Sequence, residues 1–411
     1  MTRVRVTSEI GPLQAVLVHT PGNELSAVTP WNRKDYLYDD IVDLEFAKRE
    51  HRRMVGVLER FTDVYEVGHV LEEALEVPGA RELLIKRAMN IVPSKALATT
   101  LSDVPSDQLT TMLIEGAADE AGPIGQMLNE VGFTLPPVPN LFFTRDIGIV
   151  IGDHVVIGAM RHESRWTEEL LIKALFLHHP QFENAGILYD GSEERRIAFH
   201  LEGGDVHPVR EDLLLLGFSS RSSAAALDHL CDLVFERTSV RDVIVVVMPG
   251  EQTAIHLDMI FTHIDHGVCV LFPPHFVGPE RLAVLHRTKD KHTAREMPDF
   301  FTALAQVNFR VDPVFCGGAR KSHQEREQWA SGCNLFALRP GLALSYKRNE
   351  GTLEELSKAG YRVVDGVDFL TTDESIDEDE KAVITLEGSE LVRGGGGPRC
   401  MTLPLRREDI G

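Results

Sequence analysis

Short runs of apolar residues recur along most of the chain, and each run follows a polar motif. The clearest runs cover residues 155–157, 213–216, 268–272 and 342–346, with 15–18 as a fifth candidate. The steps between the four clear runs are about 55 to 75 residues, and helical patterns often follow each run. This recurrence predicts an α/β fold in which one supersecondary unit is repeated around an axis, as in a propeller. The alternative, a series of unrelated α/β units, is compatible with the same spacing.

The polar and apolar pattern changes between residues 70 and 130. Several stretches there have helical periodicity, Ser106 is a candidate N-cap, and no strand pattern is present. The segments before it predict a strand pair over 3–19, an amphipathic helix over 43–61 and a short strand over 64–67. The predicted organisation is therefore a catalytic domain in two parts, 1–69 and 131–411, interrupted by an all-helical insertion over 70–130.

Charge and cysteine content narrow the functional class. Lys and Arg number 42 against 63 Asp and Glu, so the formal net charge is −21. This charge argues against nucleic acid or an anionic membrane as a partner and weakly favours a cationic ligand. The five cysteines show no CxxC spacing, no apolar run approaches about 18 residues, and residues 1–12 lack a signal-peptide pattern. We therefore expect a cytoplasmic protein, as a monomer or a homo-oligomer.

A glycine-rich segment near the end of the chain is a candidate for chemistry. Residues 394–397 are four consecutive glycines, and Pro398, Arg399 and Cys400 follow them. Glycines let the backbone adopt positive φ and approach a ligand closely. A thiol on such a loop, beside a fixed cation, is expected to be exposed and stabilised as a thiolate. The alternative is a glycine-rich turn before a last strand, with Cys400 as a small buried hydrophobe.

Further polar residues precede the apolar runs. His256 and Asp258 are two positions apart, so on a strand both would point to one face, among apolar neighbours that predict burial. Glu202 lies beside a Gly-Gly turn that ends in Asp205, and Asp146 is expected at the end of an aromatic strand over 142–145. Taken singly, residues of this kind are more often structural than functional, and the structural alternative for Asp146 is a pair with Arg145. Their recurrence before successive apolar runs favours a shared site.

Two chemistries fit this set of residues. The first is metal-dependent hydrolysis, and its candidate ligands are His256, Asp258, Glu202 and either His263 or His266. The spacing is unlike HExxH, and this mechanism would leave Cys400 without a role.

The second chemistry is nucleophilic attack by a thiolate on a cationic carbon. Asp146 and Asp258 would hold a planar guanidinium through charge-assisted hydrogen bonds. Cys400 would attack the central carbon, and His256 would protonate the departing nitrogen and then activate water. Glu202 would orient the imidazole, as the third member of a catalytic triad does.

Several motifs, in order, resemble the arginine deiminases of the guanidino-group modifying superfamily. They are Ser8-Glu9-Ile10-Gly11, Val18-His19-Thr20-Pro21-Gly22, Phe143-Thr144-Arg145-Asp146, Leu201-Glu202-Gly203-Gly204-Asp205-Val206, His256-Leu257-Asp258, Arg326-Glu327-Gln328-Trp329 and Cys400-Met401. The likeness covers nearly the full length. It implies a five-bladed, pseudo-symmetric α/β propeller (the pentein fold) with a helical insertion. It also implies hydrolysis of L-arginine to L-citrulline and ammonia without a metal or another cofactor.

The resemblance also implies roles for individual residues. By this resemblance, Cys400 corresponds to the nucleophile of the family and His256 to its general acid and base. Glu202 corresponds to the residue that partners this histidine. Asp146 and Asp258 correspond to the guanidinium clamp. The remaining substrate-binding residues implied by the resemblance are Leu37, Asn140, Phe143, Arg165 and Arg221, of which Asn140 and the two arginines would hold the α-amino and α-carboxylate groups. The alternative for both arginines is a surface position, paired with Glu163 or Glu168.

One departure from the family and two other hypotheses remain open. Several deiminases carry an arginine five residues before the cysteine, where this chain has Gly395, and Arg393 is a candidate substitute. Another enzyme hypothesis keeps the Cys–His machinery and changes the reaction, either to a different guanidino substrate or to amidino transfer. A third hypothesis is a binding protein or sensor without turnover, although such a protein has no need of a nucleophile.

Overall fold

The computed structural model describes residues 4–118, 122–128, 132–182, 185–193, 199–250 and 253–410. Its strands, in chain order, are β1 Leu13–Val18, β2 Asp63–Glu66, β3 Ala117–Ala118, β4 Phe133–Leu135, β5 Gly148–Ile151, β6 His154–Ile157, β7 Gly186–Asp190, β8 Val206–Arg210, β9 Leu213–Phe218, β10 Asp242–Val247, β11 Phe261–Asp265, β12 Val268–Leu271, β13 Val284–Thr288, β14 Arg295–Met297, β15 Asp312–Phe315, β16 Phe336–Arg339, β17 Leu342–Tyr346, β18 Arg362–Asp365, β19 Ala382–Leu386 and β20 Leu403–Arg407.

The α-helices in the same ranges are α1 Leu44–Leu58, α2 Val67–Leu75, α3 Ala80–Ile91, α4 Lys95–Asp103, α5 Ser106–Glu115, α6 Pro123–Leu128, α7 Thr144–Ile147, α8 Trp166–His178, α9 Ala224–Arg237, α10 Pro273–Phe276, α11 Phe300–Gln306, α12 Lys321–Trp329, α13 Glu350–Lys358 and α14 Gly366–Thr371. Short 3₁₀ helices lie at Asn23–Ala27, Glu163–Arg165, Gly203–Asp205, Leu257–Met259 and Leu391–Gly394. None of the helices in the described ranges combines the length and the apolar character needed to cross a bilayer.

Five sheets in the described part of the chain share one arrangement, in which a central strand pairs antiparallel with one neighbour and parallel with the other. The central strands are β1, β6, β9, β12 and β17; their antiparallel partners are β20, β5, β8, β11 and β16, and their parallel partners are β2, β7, β10, β15 and β19. Each central strand coincides with one of the predicted apolar runs. The recurrence predicted from the sequence, including the fifth candidate, is therefore confirmed.

A helix connects each central strand to its parallel partner, as parallel pairing requires. These helices are α1, α8, α9, α11 and α13. The predicted amphipathic helix over 43–61 corresponds to α1, whose N-cap Asp43 accepts a hydrogen bond from the backbone N–H of Phe46 at 2.9 Å. Its apolar stripe is buried, including Ala47, Met54 and Leu58.

The two ends of the chain meet in one sheet, because β1 lies between β2 and β20. The predicted strand pair over 3–19 is only partly right. Its second half forms β1, whereas Arg5 and Val6 make isolated bridges to Arg406 and Gly152. Residue 3 lies outside the described ranges.

The segment over 70–130 is mostly helical, and α2, α3 and α5 lie within one core cluster with α8. It is not all-helical as predicted, because the two-residue strand β3 pairs antiparallel with β4. The helix α4 was not predicted; Ser94 caps it by accepting a hydrogen bond from the Leu97 N–H at 3.2 Å. Ser106 is the first residue of α5 and not its N-cap, which is Pro105.

Candidate functional site

A short polar segment precedes the antiparallel strand of four of the sheets that follow residue 140, and again precedes β20. Asp146 lies in α7 before β5, Glu202 lies before β8, and His256 lies before β11. Asn334 lies before β16 and Cys400 before β20. Because these five residues occupy equivalent points of equivalent units, they converge, and one pocket is lined by Asp146, His256 and Cys400. Asn334 had no role in the sequence-based site, although it stands in the same position relative to an apolar run.

Cys400 lies in the turn after the four glycines and is buried, with 4% exposure. Its Sγ is 3.5 Å from Asp258 Oδ2 and 3.1 Å from Asn334 Nδ2. The turn packs closely because it lacks side chains: a Cβ on Gly396 would lie 2.5 Å from the ring of Phe143. The expectation of an exposed thiol is therefore wrong, and the sulfur is enclosed at the base of the pocket.

The charges around Cys400 also differ from the expectation. Burial raises the pKa of the Cys400 thiol well above its ordinary value, and the carboxylates of Asp258 and Asp146 raise it further. Arg399 opposes this shift, but its guanidinium is already paired. It donates to Asp258 at 2.9 Å and twice to Glu9 at 3.1 Å. The prediction of a thiolate stabilised by Arg399 is therefore wrong for the unliganded protein, in which the thiol is neutral at pH 7.

His256 and Glu202 form a buried pair beside the thiol. His256 Nε2 lies 2.9 Å from Glu202 Oε2, and Nδ1 lies 3.7 Å from Asp146 Oδ1. Burial lowers the pKa of His256, but the charge of Asp146 and the hydrogen bond with Glu202 outweigh burial and raise this pKa to about 9. The imidazole is therefore charged at neutral pH. It is held through Nε2 and presents Nδ1 on the side of Asp146.

Two predictions about the local backbone are wrong. His256 and Asp258 do not share the face of a strand, because the 3₁₀ helix Leu257–Met259 begins directly after His256. The buried carboxylate of Asp205 holds this turn by accepting the N–H of Leu257 at 2.9 Å. Asp146 likewise lies in the one-turn helix α7 and not at the end of a strand. The side chains of both segments nevertheless approach Cys400.

Asp146 and Asp258 each have one carboxylate oxygen that accepts no hydrogen bond from the described residues. Asp146 Oδ2 accepts from Arg165 Nη1 at 2.7 Å, and Asp258 Oδ2 accepts from Arg399. The Oδ1 atoms of both acids are buried and have no hydrogen-bond partner among the described residues. Buried polar atoms are normally hydrogen-bonded, so two such acceptors beside one thiol favour a ligand that donates N–H groups.

The predicted substrate-binding residues other than Asp258 line this pocket: Leu37, Asn140, Phe143, Asp146, Arg165 and Arg221. Asp258 and Glu202 lie behind the lining, where they contact Cys400 and His256. Arg165 is 3% exposed and Arg221 is 8% exposed, so the alternative of two surface arginines is wrong. Glu168 is nevertheless a partner of Arg165, accepting at 2.8 Å and 3.0 Å. Arg221 donates from Nη1 to Glu202 at 3.2 Å.

A larger cavity of about 880 Å³ leads to this pocket and shares Leu37, Arg221 and the glycine segment with it. Gly395 has φ +91°, and an added Cβ would meet open space, so the position is sterically free but favours glycine by its backbone. Arg393 lines the outer cavity and pairs with Asp40 and Glu390. It is absent from the described lining of the inner pocket, so it does not replace the missing loop arginine in this structure.

The residues predicted as metal ligands are only partly brought together. Within the described ranges, the group close enough to share one ion is Asp146, Glu202 and His256. Asp258, His263 and His266 lie outside this group. Burial lowers the pKa of His263 to about 4, and its two ring nitrogens are buried without hydrogen-bond partners in the described structure.

Comparisons with known proteins agree with the motif-based resemblance. Residues 34–407 match the family model described as arginine deiminase. The arginine deiminase of Listeria monocytogenes serotype 4a is 32% identical, over 99% of this chain and 98% of that protein. The arginine deiminase of Streptococcus pyogenes serotype M49 is 32% identical, over 100% of this chain and 99% of that protein.

Solved structures show that the fold is shared more widely. The product-bound N-terminal domain of ArgZ, a cyanobacterial arginine dihydrolase, matches with a TM-score of 0.53 at 15% identity, over 97% of this chain and 99% of that one. A dimethylarginine dimethylaminohydrolase adduct with S-methyl-L-thiocitrulline matches with a TM-score of 0.51 at 14% identity, over 95% of this chain and 99% of that one. These likenesses concern the α/β fold alone. Because the family model and the curated relatives cover nearly the whole sequence, the chain belongs to the arginine deiminase family.

Proposed function

We propose that this enzyme hydrolyses L-arginine to L-citrulline and ammonia through a covalent amidino-thioether intermediate on Cys400. Membership of the arginine deiminase family makes the protein an enzyme that acts on the guanidino group of arginine. The observation that carries the mechanism is the position of the buried Cys400 thiol near two acids, Asp146 and Asp258, each with a buried oxygen that has no hydrogen-bond partner among the described residues. This arrangement is complementary to a planar cation whose central carbon is electrophilic.

Substrate binding is proposed to activate the thiol. The carboxylates of Asp146 and Asp258 raise the pKa of Cys400 in the unliganded protein. A guanidinium bound to their Oδ1 atoms places a positive charge beside the sulfur and offsets both negative charges, so the thiolate becomes favourable and its proton leaves to solvent. The reactive thiolate therefore forms when the substrate is in place.

The two chemical steps follow from the position of His256. The thiolate adds to the guanidinium carbon, and the charged imidazole donates its proton to the departing nitrogen, so ammonia leaves and an amidino-thioether cation remains. The neutral imidazole then takes a proton from water as the water oxygen adds to the same carbon. Cleavage of the carbon–sulfur bond releases citrulline and the Cys400 thiolate, and one proton leaves to solvent. Glu202 keeps the ring oriented throughout through Nε2.

We further infer that the five sheets lie around a common axis as a five-bladed propeller. The support is the repeated strand arrangement and the convergence of one polar segment from each of several units. Residues 1–69 and 131–411 would form this catalytic body, because β1 and β20 pair across the two ends of the chain. Residues 70–130 would be the insertion. A cytoplasmic location suits the five free cysteines, which are typical of a reducing compartment.

The test of the function is a product assay with purified protein. L-Arginine, agmatine, Nω-methylarginine and guanidinoacetate are supplied separately, each with and without an added amine acceptor, and citrulline, ornithine and ammonia are measured. The proposal expects one citrulline and one ammonia for each arginine consumed. Ornithine as the main product, accompanied by an amidinated acceptor, would establish amidino transfer. Ornithine with two molecules of ammonia would establish a dihydrolase. If the protein consumed another guanidino compound and not arginine, the proposed substrate would be wrong.

A further inference from the structure

Asn334 occupies the same point of its structural unit as the residues assigned to chemistry. It immediately precedes Leu335 and the strand β16, as Asp146 and His256 precede the antiparallel strands of their own units. It is 1% exposed. A neutral amide in this position is unlike the acids and the imidazole of the other units. The mechanism described above gives it no function.

The carboxamide of Asn334 makes three hydrogen bonds at the proposed nucleophile. Oδ1 accepts from the backbone N–H of Cys400 at 3.1 Å. Nδ2 donates to Cys400 Sγ at 3.1 Å and to the backbone oxygen of Asp258 at 3.2 Å. This orientation of the amide is determined by its neighbours, because the Cys400 N–H needs an acceptor and the Asp258 carbonyl needs a donor.

The bond to Sγ has a direction that matters for ionisation. The thiol proton can point to Asp258 Oδ2, 3.5 Å away, while the sulfur accepts from Asn334 Nδ2. When the proton leaves, the contact with Asp258 becomes repulsive, whereas the bond from the amide becomes charge-assisted and stronger. The amide is also neutral, so it favours the thiolate without competing with a cationic substrate for Asp146 and Asp258.

The surroundings fix Asn334 in this position. Its backbone N–H donates to the Ser331 carbonyl at 3.0 Å, in a turn where Ser331 has φ +59°. Gly397 lies directly against it, and a Cβ on Gly397 would be 2.8 Å from both Cβ and Oδ1 of Asn334. The absence of a side chain at 397 therefore permits the amide to reach both the N–H and the sulfur of Cys400.

We propose that Asn334 is a further catalytic residue, whose amide N–H stabilises the Cys400 thiolate while its oxygen fixes the nucleophile's backbone. That Asn334 takes part in catalysis rests on the proposed function of Cys400 as the nucleophile. The effect of the Asn334 amide on ionisation of the Cys400 thiol can be tested without turnover. The rate of alkylation of Cys400 by iodoacetamide follows the thiolate fraction, and it can be measured against pH by mass spectrometry of the Cys400 peptide, with no arginine present.

The variants are Asn334→Ala, which removes the donor without adding a charge, and Asn334→Asp, which keeps the size and the acceptor, removes the donor and adds a carboxylate. Asn349→Ala is the matched control, because Asn349 is buried and donates to the Ala330 carbonyl at 3.1 Å beside the same turn, but does not contact Cys400 in the described structure. Circular dichroism and the thermal midpoint verify that each variant is folded.

The expected result is slower alkylation at pH 7.5 in the Asn334 variants, by roughly tenfold to hundredfold, the factor for one hydrogen bond to a charged group. The midpoint of the alkylation rate against pH moves to higher pH in the Asn334 variants, and kcat for arginine falls while KM changes by less than about threefold. Asn349→Ala leaves the midpoint in place. An unchanged midpoint in folded Asn334→Asp and Asn334→Ala overturns the inference, as does an equal shift in Asn349→Ala. If wild-type protein does not convert arginine, the proposed function fails, and the alkylation result still decides the role of the amide.

Discussion

Cys400 Sγ and Asp258 Oδ2 lie 3.5 Å apart, so the proposed nucleophile is buried against an acid that opposes its ionisation. The same acid is half of the proposed guanidinium clamp. An enzyme with this arrangement keeps its thiol protonated and unreactive until a cation binds. Because the resting thiol is neutral, it is also protected from oxidation and alkylation, which require the thiolate.

This relationship predicts opposite effects of Asp258→Asn on two reactions of one sulfur. Removing the charge takes away one cause of the raised thiol pKa, so Cys400 in the unliganded variant should react faster with iodoacetamide at neutral pH. Arginine turnover should fall by about a hundredfold or more, because losing one partner of a buried charge pair costs roughly 2–5 kcal/mol. Alkylation kinetics and kcat/KM are measured on the same preparation.

Asp265→Asn is the control for this experiment. Asp265 is a buried acid in β11 that pairs with Lys381 and accepts a hydrogen bond from Tyr361, and in the described part of the chain its side chain does not bond to Cys400. Its substitution should leave the alkylation rate of Cys400 unchanged. Slower alkylation of Cys400 in folded Asp258→Asn would contradict the account of the thiol given above.

The covalent mechanism predicts that Cys400→Ala loses turnover and keeps binding. The two acids and the arginines of the pocket remain, so calorimetry should still detect arginine binding, while kcat falls to less than about a thousandth of the wild-type value. Cys231→Ala is the control, since Cys231 is buried in α9 and belongs to a different core cluster. Residual activity above about a thousandth in Cys400→Ala would show that the sulfur is not the nucleophile.

Metal removal should leave the rate unchanged. Asp146, Glu202 and His256 are close enough to share an ion, but each already uses a ligand atom: Asp146 Oδ2 accepts from Arg165, Glu202 Oε2 accepts from Arg221, and His256 Nε2 is bonded to Glu202. A divalent ion would have to compete with these cations. Activity is compared before and after exhaustive dialysis against EDTA. Loss that is restored by zinc or manganese would favour the metallohydrolase hypothesis.

The membership of the site could be inferred from the sequence, but its protonation could not. Asp146, Glu202 and His256 each precede an apolar run, and a repeated fold brings such positions together, whereas Cys400 was indicated by the four glycines before it. The state of the thiol depends instead on contacts that no local pattern contains. Arg399 is neutralised largely by Glu9, which is 390 residues away in the sequence. A cation adjacent in sequence to a cysteine is therefore a weak guide to its pKa.

In the fold as well, elements with a strong local sequence pattern were predicted, and elements with a weak one were not. The central strands were predictable because short runs of three to five mostly apolar residues are typical of strands buried on both faces. The strand β3 has two residues, and α4 has only nine, among them β-branched Thr99 and Thr100, which have lower helix propensity, so both have a weak local signal. The 3₁₀ helix after His256 is held by the buried side chain of Asp205, 52 residues earlier. Such long-range bonds override the local strand pattern.

A buried histidine far from the thiol predicts a pH effect on stability. His19 bonds to Glu24 through Nε2 at 3.1 Å and lies 3.2 Å from Glu66 through Nδ1. Burial lowers the pKa of His19, but the hydrogen bonds to the two acids outweigh burial and raise it from its ordinary 6.5 to about 10. Because the folded pKa lies above the unfolded one, the stabilisation is fully present below pH 6.5 and is lost as pH rises through about 10.

The measurement compares urea unfolding of wild type and His19→Gln from pH 6 to pH 10.5. The difference in unfolding free energy should shrink by an amount on the order of a few kcal/mol over that range, mostly above pH 7. His69→Gln provides a control, because His69 is exposed on α2. A difference that stays constant with pH would show that His19 is not charged in the folded protein.

The last prediction concerns which guanidino compound the pocket accepts. It depends on a difference between Arg165 and Arg221 in how fully each guanidinium is already hydrogen-bonded. The guanidinium of Arg165 is occupied by Glu168 and Asp146, whereas Arg221 is bonded only through Nη1, to Glu202, among the described side chains. Arg221 lines both the inner pocket and the outer cavity, so it is the better placed of the two to meet the α-carboxylate of arginine. Agmatine lacks that carboxylate and would leave a buried cation without its second partner. We expect kcat/KM for arginine to exceed that for agmatine by roughly 10⁴-fold.

Arg221→Ala tests whether Arg221 binds the α-carboxylate. The quantity compared is the ratio of kcat/KM for arginine to kcat/KM for agmatine, and not the activity with arginine alone. The substitution also frees Glu202 and so affects His256, but that effect is common to arginine and agmatine and cancels in the ratio. The ratio should therefore fall by at least about tenfold in Arg221→Ala. It should change little in Arg348→Ala, which removes a cation that lines only the outer cavity in the described structure. Equal kcat/KM values for the two substrates in wild type, or an unaltered ratio in Arg221→Ala, would mean that Arg221 does not bind the carboxylate.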